Sequence, residues 1–130
     1  MTQRRAIDTN MMREAIDGFV RSMANMTEDD GAVGVRVRML TAVLPVFTEA
    51  LAAEMDRNVD ADHVLRAIKT VMVHIAGSTV KTFEFSIEGQ FIDEERRLQM
   101  LMLDVTSQTL RRLAQVGQFV SVPYDAAGTA

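Results

Sequence analysis

The chain has 130 residues, a hydrophobic fraction of 48% and a formal net charge of -4, which suits one domain with an apolar core. The acidic balance gives no basic surface for nucleic acid, and the absence of cysteine excludes disulfides, thiolate metal sites and cysteine nucleophiles. The longest mostly apolar run, MLTAVLPVF, is about half the length of a membrane-spanning helix. We expect a cytoplasmic protein with one domain over residues 1–117 and a mobile tail over residues 118–130.

The first predicted element is an amphipathic helix over roughly residues 9–26. Asp8 or Thr9 can cap its start. Its apolar residues recur at spacings of three and four, which places one stripe along the helix: Met12, Ile16, Phe19, Val20 and Met23.

The second predicted helix follows the turn residues of MTEDDGAVG. Val33, Val35 and Val37 alternate as in a strand, but a much longer helical stripe outweighs that alternation. Pro45 falls on the polar arc, where its missing hydrogen bond would face solvent. The stripe consists of Val33, Val37, Leu40, Leu44, Phe47, Leu51 and Met55.

The third predicted helix begins after Asp60, a good N-cap, and ends near Lys81. The short connection before it predicts that the second and third helices run antiparallel. Val73 and Val80 lie outside the inner stripe, so the second half of this helix is apolar nearly all round. The inner stripe consists of Val64, Leu65, Ile68, Val71, Met72 and Ile75.

The stretch KTFEFSIEGQF, residues 81–91, breaks the helical pattern. Phe83, Phe85 and Ile87 alternate with polar residues, which is typical of a half-buried strand. Three arrangements are open: an extended connector that lays Phe83 and Phe85 into the end of a bundle, a strand paired with a second copy, or a frayed helical segment.

The fourth predicted helix begins at Asp93 and ends at Gly117. Its opposite side holds Arg97, Asp104 and Arg111, which we expect to be solvated. The core face consists of Leu98, Leu101, Met102, Val105, Leu110, Leu113 and Val116. The fold class is therefore predicted as all-α: a four-helix up-down bundle with a long extended connection between helices three and four, and with a core rich in the ten methionines.

His63 and His74 are the two histidines, and they lie roughly 16 Å apart along one helix, which is too far to share a metal ion within a chain. His74 precedes the small residues AGST, which permit close backbone approach. This stretch resembles the histidine-phosphotransfer domains, four-helix bundles with an accessible histidine, and the resemblance implies His74 as a phosphoacceptor. That family usually has Lys three and Gly four residues after the histidine, whereas here Ala76 and Gly77 follow at two and three and no Lys is present.

We predict no catalytic residue, no cofactor and no metal site, because no phosphate loop, nucleophile motif or ligand cluster occurs. The leading hypothesis is a non-enzymatic, homo-oligomeric and most simply dimeric interaction or regulatory protein, in which Leu103→Glu should weaken assembly. The alternative is a bundle that binds an apolar small ligand or lipid through its Met-rich core. The interface candidates are Val73, Val80, Phe83, Phe85, Ile87, Met100 and Leu103.

Overall fold

The computed structural model describes residues 4–28, 31–117 and 121–124, and this part of the chain contains four α-helices and two small antiparallel strand pairs. The predicted all-α, four-helix class is confirmed. Contacts divide the chain into two compact units, Met1–Val64 with Phe119–Ala130, and Leu65–Gln118. The up-down arrangement stays a prediction. The elements are β1 (Arg4–Ile7), α1 (Thr9–Met23), α2 (Ala32–Asp56), α3 (Ala61–Thr82), β2 (Ser86–Ile87), β3 (Gln90–Phe91), α4 (Glu94–Gln115) and β4 (Ser121–Tyr124).

Three aspartates set the starts of helices as the sequence predicts. Asp8, Asp60 and Asp93 each accept a backbone N–H from the first turn of the helix that follows. These side chains satisfy donors that have no partner inside the helix. At its other end α1 is shorter than predicted, because residues 24–26 form a 3₁₀ turn.

In the first unit α1 packs on α2, and a polar cluster joins the two helices. The Arg13 guanidinium holds Glu49 with two hydrogen bonds of 2.8 and 3.0 Å and Asp56 with one of 2.9 Å. The residues that α2 buries are Gly34, Val37 and Ala52, of which only Val37 belongs to the predicted stripe. The α1-facing side of α2 therefore includes the arc that the sequence assigns to solvent, and Pro45 on that arc is half-buried.

The first unit also contains a strand pair that the sequence analysis missed. β1 and β4 are antiparallel, with Arg4 opposite Tyr124 and Ile7 opposite Ser121. The phenolic O–H of Tyr124 donates to the backbone carbonyl of Val59. The predicted mobile tail therefore includes an element with tertiary contacts, and its remaining residues, 118–120 and 125–130, lie outside the described chain.

The stretch between α3 and α4 folds into a hairpin in the second unit. Ser86 lies opposite Phe91, and Ile87 lies opposite Gln90. The two residues between the strands, Glu88 and Gly89, have φ values of 51° and 78°, as in a type I′ turn. The stretch pairs with itself, so none of the three predicted arrangements describes it.

The apolar stripes predicted as the core of α3 and α4 are largely exposed, which corrects the sequence analysis. We call the exposed positions the α3 apolar face (Leu65, Val71, Met72, Ile75) and the α4 apolar face (Leu98, Met102, Val105, Leu110, Leu113). The buried residues of this unit are instead Val80, Ile92 and Arg97. The expected methionine core is also not found, since no described methionine is buried.

Candidate functional site

The second unit contains a cleft of about 450 Å³ where the last turn of α3, the segment after it and the first half of α4 meet. α4 contributes residues at spacings of three and four, so they share one side of the helix. Of these residues, Arg97 and Asp104 were predicted to be solvated, Met100 and Leu103 were predicted as interface residues, and Leu101 was predicted to lie in the core. The lining residues are Thr79, Val80, Phe83, Phe85, Arg97, Met100, Leu101, Leu103 and Asp104.

Arg97 is the central polar group of this wall and is only 4% exposed. Its Nη1 donates to the backbone carbonyl of Ile92 at 2.5 Å, and its Nη2 donates to that of Val80 at 3.3 Å. The guanidinium carbon lies 5.5 Å from the centre of the Phe91 ring, a cation–π contact. The buried Nε has no hydrogen-bond partner within the part of the chain that the structure describes.

The charge of Arg97 is not matched by an ion pair among the residues that the structure describes, since no carboxylate there lies within 4.0 Å of it. Glu94, one turn before it, pairs with Lys81. The hydrogen bond from Lys81 lowers the pKa of the Glu94 carboxyl, and the charge of Arg97 makes a smaller contribution in the same direction. Asp104 lines the same cleft but is exposed, and it lies two turns, roughly 10 Å, further along α4.

The cleft collects five of the predicted interface residues: Val80, Phe83, Phe85, Met100 and Leu103. All of them except Val80 are exposed. Val73 and Ile87 are exposed elsewhere on the second unit. Val80 was expected to add exposed apolar surface, but its side chain is buried.

Arg97 and Asp104 are the charged site residues that the sequence analysis missed, and Thr79 and Leu101 were also not predicted as site residues. Charged residues on a helix are usually solvated, and for this reason both charged side chains were predicted to face solvent. A signal was present: Arg97, Met100, Leu101 and Asp104 follow the spacing of one helix face, and two of the four are apolar.

Both histidines are exposed in the structure. The exposure of His74 meets one requirement of the phosphoacceptor hypothesis. The expected close approach at Gly77 is not found, because a Cβ built there would meet no atom within 4 Å. No group of three or more His, Cys, Asp or Glu side chains that could hold a metal ion occurs within residues 4–28, 31–117 and 121–124.

No protein-family model, curated protein or solved structure matches this chain. Across the described residues, no helix is both long and apolar enough to cross a membrane. Function must therefore be argued from the exposed apolar faces and the cleft.

Proposed function

We propose that the protein is a non-enzymatic interaction or regulatory protein that works as a homodimer. The observation that carries this proposal is the exposure of the α3 and α4 apolar faces, which together present nine large apolar side chains. Apolar side chains that recur along one face of an exposed helix are typical of a protein–protein interface. The cysteine-free composition supports a cytoplasmic location.

A second copy of the chain is the simplest partner for these faces. Helices that leave their apolar faces exposed need further helices to enclose a bundle core, and a twofold axis supplies them from an identical unit. Each large apolar side chain that becomes fully buried contributes about 1.5–3 kcal/mol, so even partial cover of nine side chains offsets the cost of association. The predicted four-helix bundle would then be formed by two chains.

The charges at the ends of α4 favour an antiparallel pair of α4 helices. Glu94 and Glu95 lie in its first turn and Arg112 lies in its last turn. Glu94 is already paired with Lys81, so Glu95 is the acidic residue that remains for a partner. In an antiparallel pair Glu95 of each copy faces Arg112 of the other, whereas a parallel pair places each of these charges beside its own copy. This complementarity supports a twofold dimer that is centred near the middle of α4.

The test is the solution mass by light scattering over a dilution series, with three glutamate substitutions. Val105→Glu places a charge at the centre of the α4 apolar face and should shift the protein to the monomer mass. Leu103→Glu, at a residue 71% exposed beside that face, should weaken assembly to a smaller extent. Val46→Glu is the matched control, because Val46 on α2 is 70% exposed and lies in the other unit. A monomer mass for the unaltered protein at all concentrations would overturn the proposal.

The cleft favours a second candidate function, the binding of an apolar small ligand. Its volume falls in the range of small-molecule sites, and two phenylalanines with Met100 and Leu101 supply an apolar lining. Native mass spectrometry of the purified protein tests this candidate, with a bound small molecule as the expected result.

A further inference from the structure

We propose that the cleft binds an apolar monocarboxylate, whose carboxylate pairs with Arg97 and whose hydrocarbon chain lies along Met100 and Leu101. This inference rests on the second candidate function above and assigns its ligand class. It also assigns a role to the one buried charge of the second unit among the described residues.

The state of Arg97 is the first argument. A buried cation without a counter-ion is costly, because backbone carbonyls only partly replace the water that it has lost. A guanidinium carries five N–H donors, and the two carbonyls of Val80 and Ile92 accept from its two terminal nitrogens. Its Nε–H has no partner among the described residues, and each terminal nitrogen has a second N–H. Arg97 lines the cleft, so the terminal N–H groups are the ones that a carboxylate would meet there, and a carboxylate is the anion whose geometry fits a guanidinium best.

The apolar lining is the second argument, because it determines what must follow the carboxylate. Phe83 and Phe85 follow α3, Met100 and Leu101 lie on α4, and all four residues line the cleft. A small inorganic anion would leave these surfaces in water. A ligand with a hydrocarbon chain covers them, and methionine adapts to chains of different shape.

Asp104 gives the site a direction. It lines the cleft roughly 10 Å from Arg97 along the helix axis, about the length of an extended ten-carbon chain. A second carboxylate at the far end of the ligand would meet Asp104 and be repelled. The site should therefore prefer a monocarboxylate to a dicarboxylate of equal length.

The experiment titrates the full-length protein with decanoate, decan-1-ol and decanedioate and follows the methionine methyl groups by NMR. Met100 in the cleft is the reporter, and Met39, an exposed methionine on α2, is the internal control. We expect shifts at Met100 with no shift at Met39, and decanoate should bind about tenfold more tightly than the alcohol because hydrogen bonds to a charged group are strong. Decanedioate should bind several-fold more weakly than decanoate.

Two variants link the preference to named residues. Arg97→Met should remove the preference for the acid and leave the affinity for the alcohol within about threefold. Asp104→Asn should strengthen decanedioate binding more than decanoate binding. The ligand comparison on the unaltered protein decides the question even if Arg97→Met does not fold.

The possible failures are distinguishable. Equal affinity for decanoate and decan-1-ol would overturn the carboxylate assignment and leave the apolar-ligand function standing. No shift at Met100 with any of the three compounds would overturn both. A third outcome combines two results: Arg97→Met has the monomer mass, and the unaltered protein shows no preference for the acid. It would mean that a carboxylate of the second copy pairs with Arg97. It would also overturn the inference.

Discussion

Arg97 donates a hydrogen bond of 3.3 Å to the backbone carbonyl of Val80, which ties the first turn of α4 to the end of α3. A second bond from the same guanidinium reaches Ile92, just before α4. One buried side chain therefore joins the segments on both sides of the hairpin. This relationship turns the Arg97 side of α4 inward and leaves the α4 apolar face in solvent.

The hairpin turn offers a prediction in which two neighbouring residues have opposite effects. Gly89→Ala should destabilise the protein by roughly 1–2 kcal/mol, because Gly89 has a φ of 78° that an L-residue with a Cβ adopts only at a cost. The Cβ itself meets no atom within 4 Å, so the whole effect comes from the backbone. Urea unfolding followed by circular dichroism measures it.

Glu88→Asn tests the same turn in the opposite direction. Glu88 has a φ of 51°, which asparagine tolerates better than glutamate, and Asn-Gly is the preferred type I′ sequence. The variant should gain up to about 1 kcal/mol. Loss of stability in Glu88→Asn would contradict the turn assignment.

The Arg13 cluster predicts a pH-dependent contribution to the stability of the first unit. The hydrogen bonds of Arg13 lower the pKa of Glu49, and those of Thr9 and then Arg13 lower the pKa of Asp56. A carboxylate with a lowered folded-state pKa stabilises the protein above its unfolded-state pKa, and this contribution is lost as pH falls through the folded-state value. Arg13→Met should therefore lower the Tm by several degrees near neutral pH.

The difference in Tm between the unaltered protein and Arg13→Met should shrink as the pH falls below about 4, the usual range of carboxylate pKa values. Thermal unfolding at a series of pH values measures it. Arg21→Met, on the same helix, is the control and should change the Tm little at any pH. A Tm difference that stays constant with pH would mean that Arg13 acts through packing alone.

The starts of the helices and the fold class could be predicted from the sequence, because they depend on neighbouring residues. Asp60 acts as the predicted cap, and Asp8 is the cap of the two candidates, Asp8 and Thr9. Asp93, predicted as the first residue of the fourth helix, caps that helix. The exposed faces could not be predicted in this way. Periodicity identifies an apolar stripe on α4, but it cannot show whether the same chain covers that stripe.

The strand pairs were missed for two further reasons. β1 and β4 lie at opposite ends of the sequence, and each has only four residues, too short for a periodic signal. The hairpin turn uses Glu rather than Asn or Asp before Gly89, so the usual turn signal was weak. The cleft depends on this hairpin. Its turn reverses the chain, so that Ile92, just before α4, lies beside Phe85 and donates its backbone N–H to the Phe85 carbonyl.

Tyr124 supplies a prediction for the β1–β4 pair. Partial burial, with a smaller contribution from the charge of Asp60, raises the pKa of its phenol. Its O–H donates to Val59, so Tyr124→Phe removes a hydrogen bond and leaves the carbonyl without that donor. The variant should lose about 1 kcal/mol of unfolding free energy in urea. An unchanged stability would show that the contact contributes nothing in solution.

The orientation of the proposed dimer can be tested by exchanging charges between the two ends of α4. In an antiparallel pair Glu95 of one copy lies near Arg112 of the partner subunit. Glu95→Arg alone and Arg112→Glu alone should each weaken the dimer, because each places like charges together at both ends of the helix pair. The double variant restores opposite charges and should recover most of the lost affinity, measured by light scattering over a dilution series.

Rescue in the double variant cannot come from the helix dipole. Each substitution places an unfavourable charge at its end of α4, so the two dipole penalties add within one chain. Recovery of the dimer therefore requires contact between the first turn of one copy and the last turn of the other. If the double variant loses as much dimer affinity as the two single variants together, the antiparallel arrangement is excluded. The existence of the dimer is tested separately, by the solution mass of Val105→Glu.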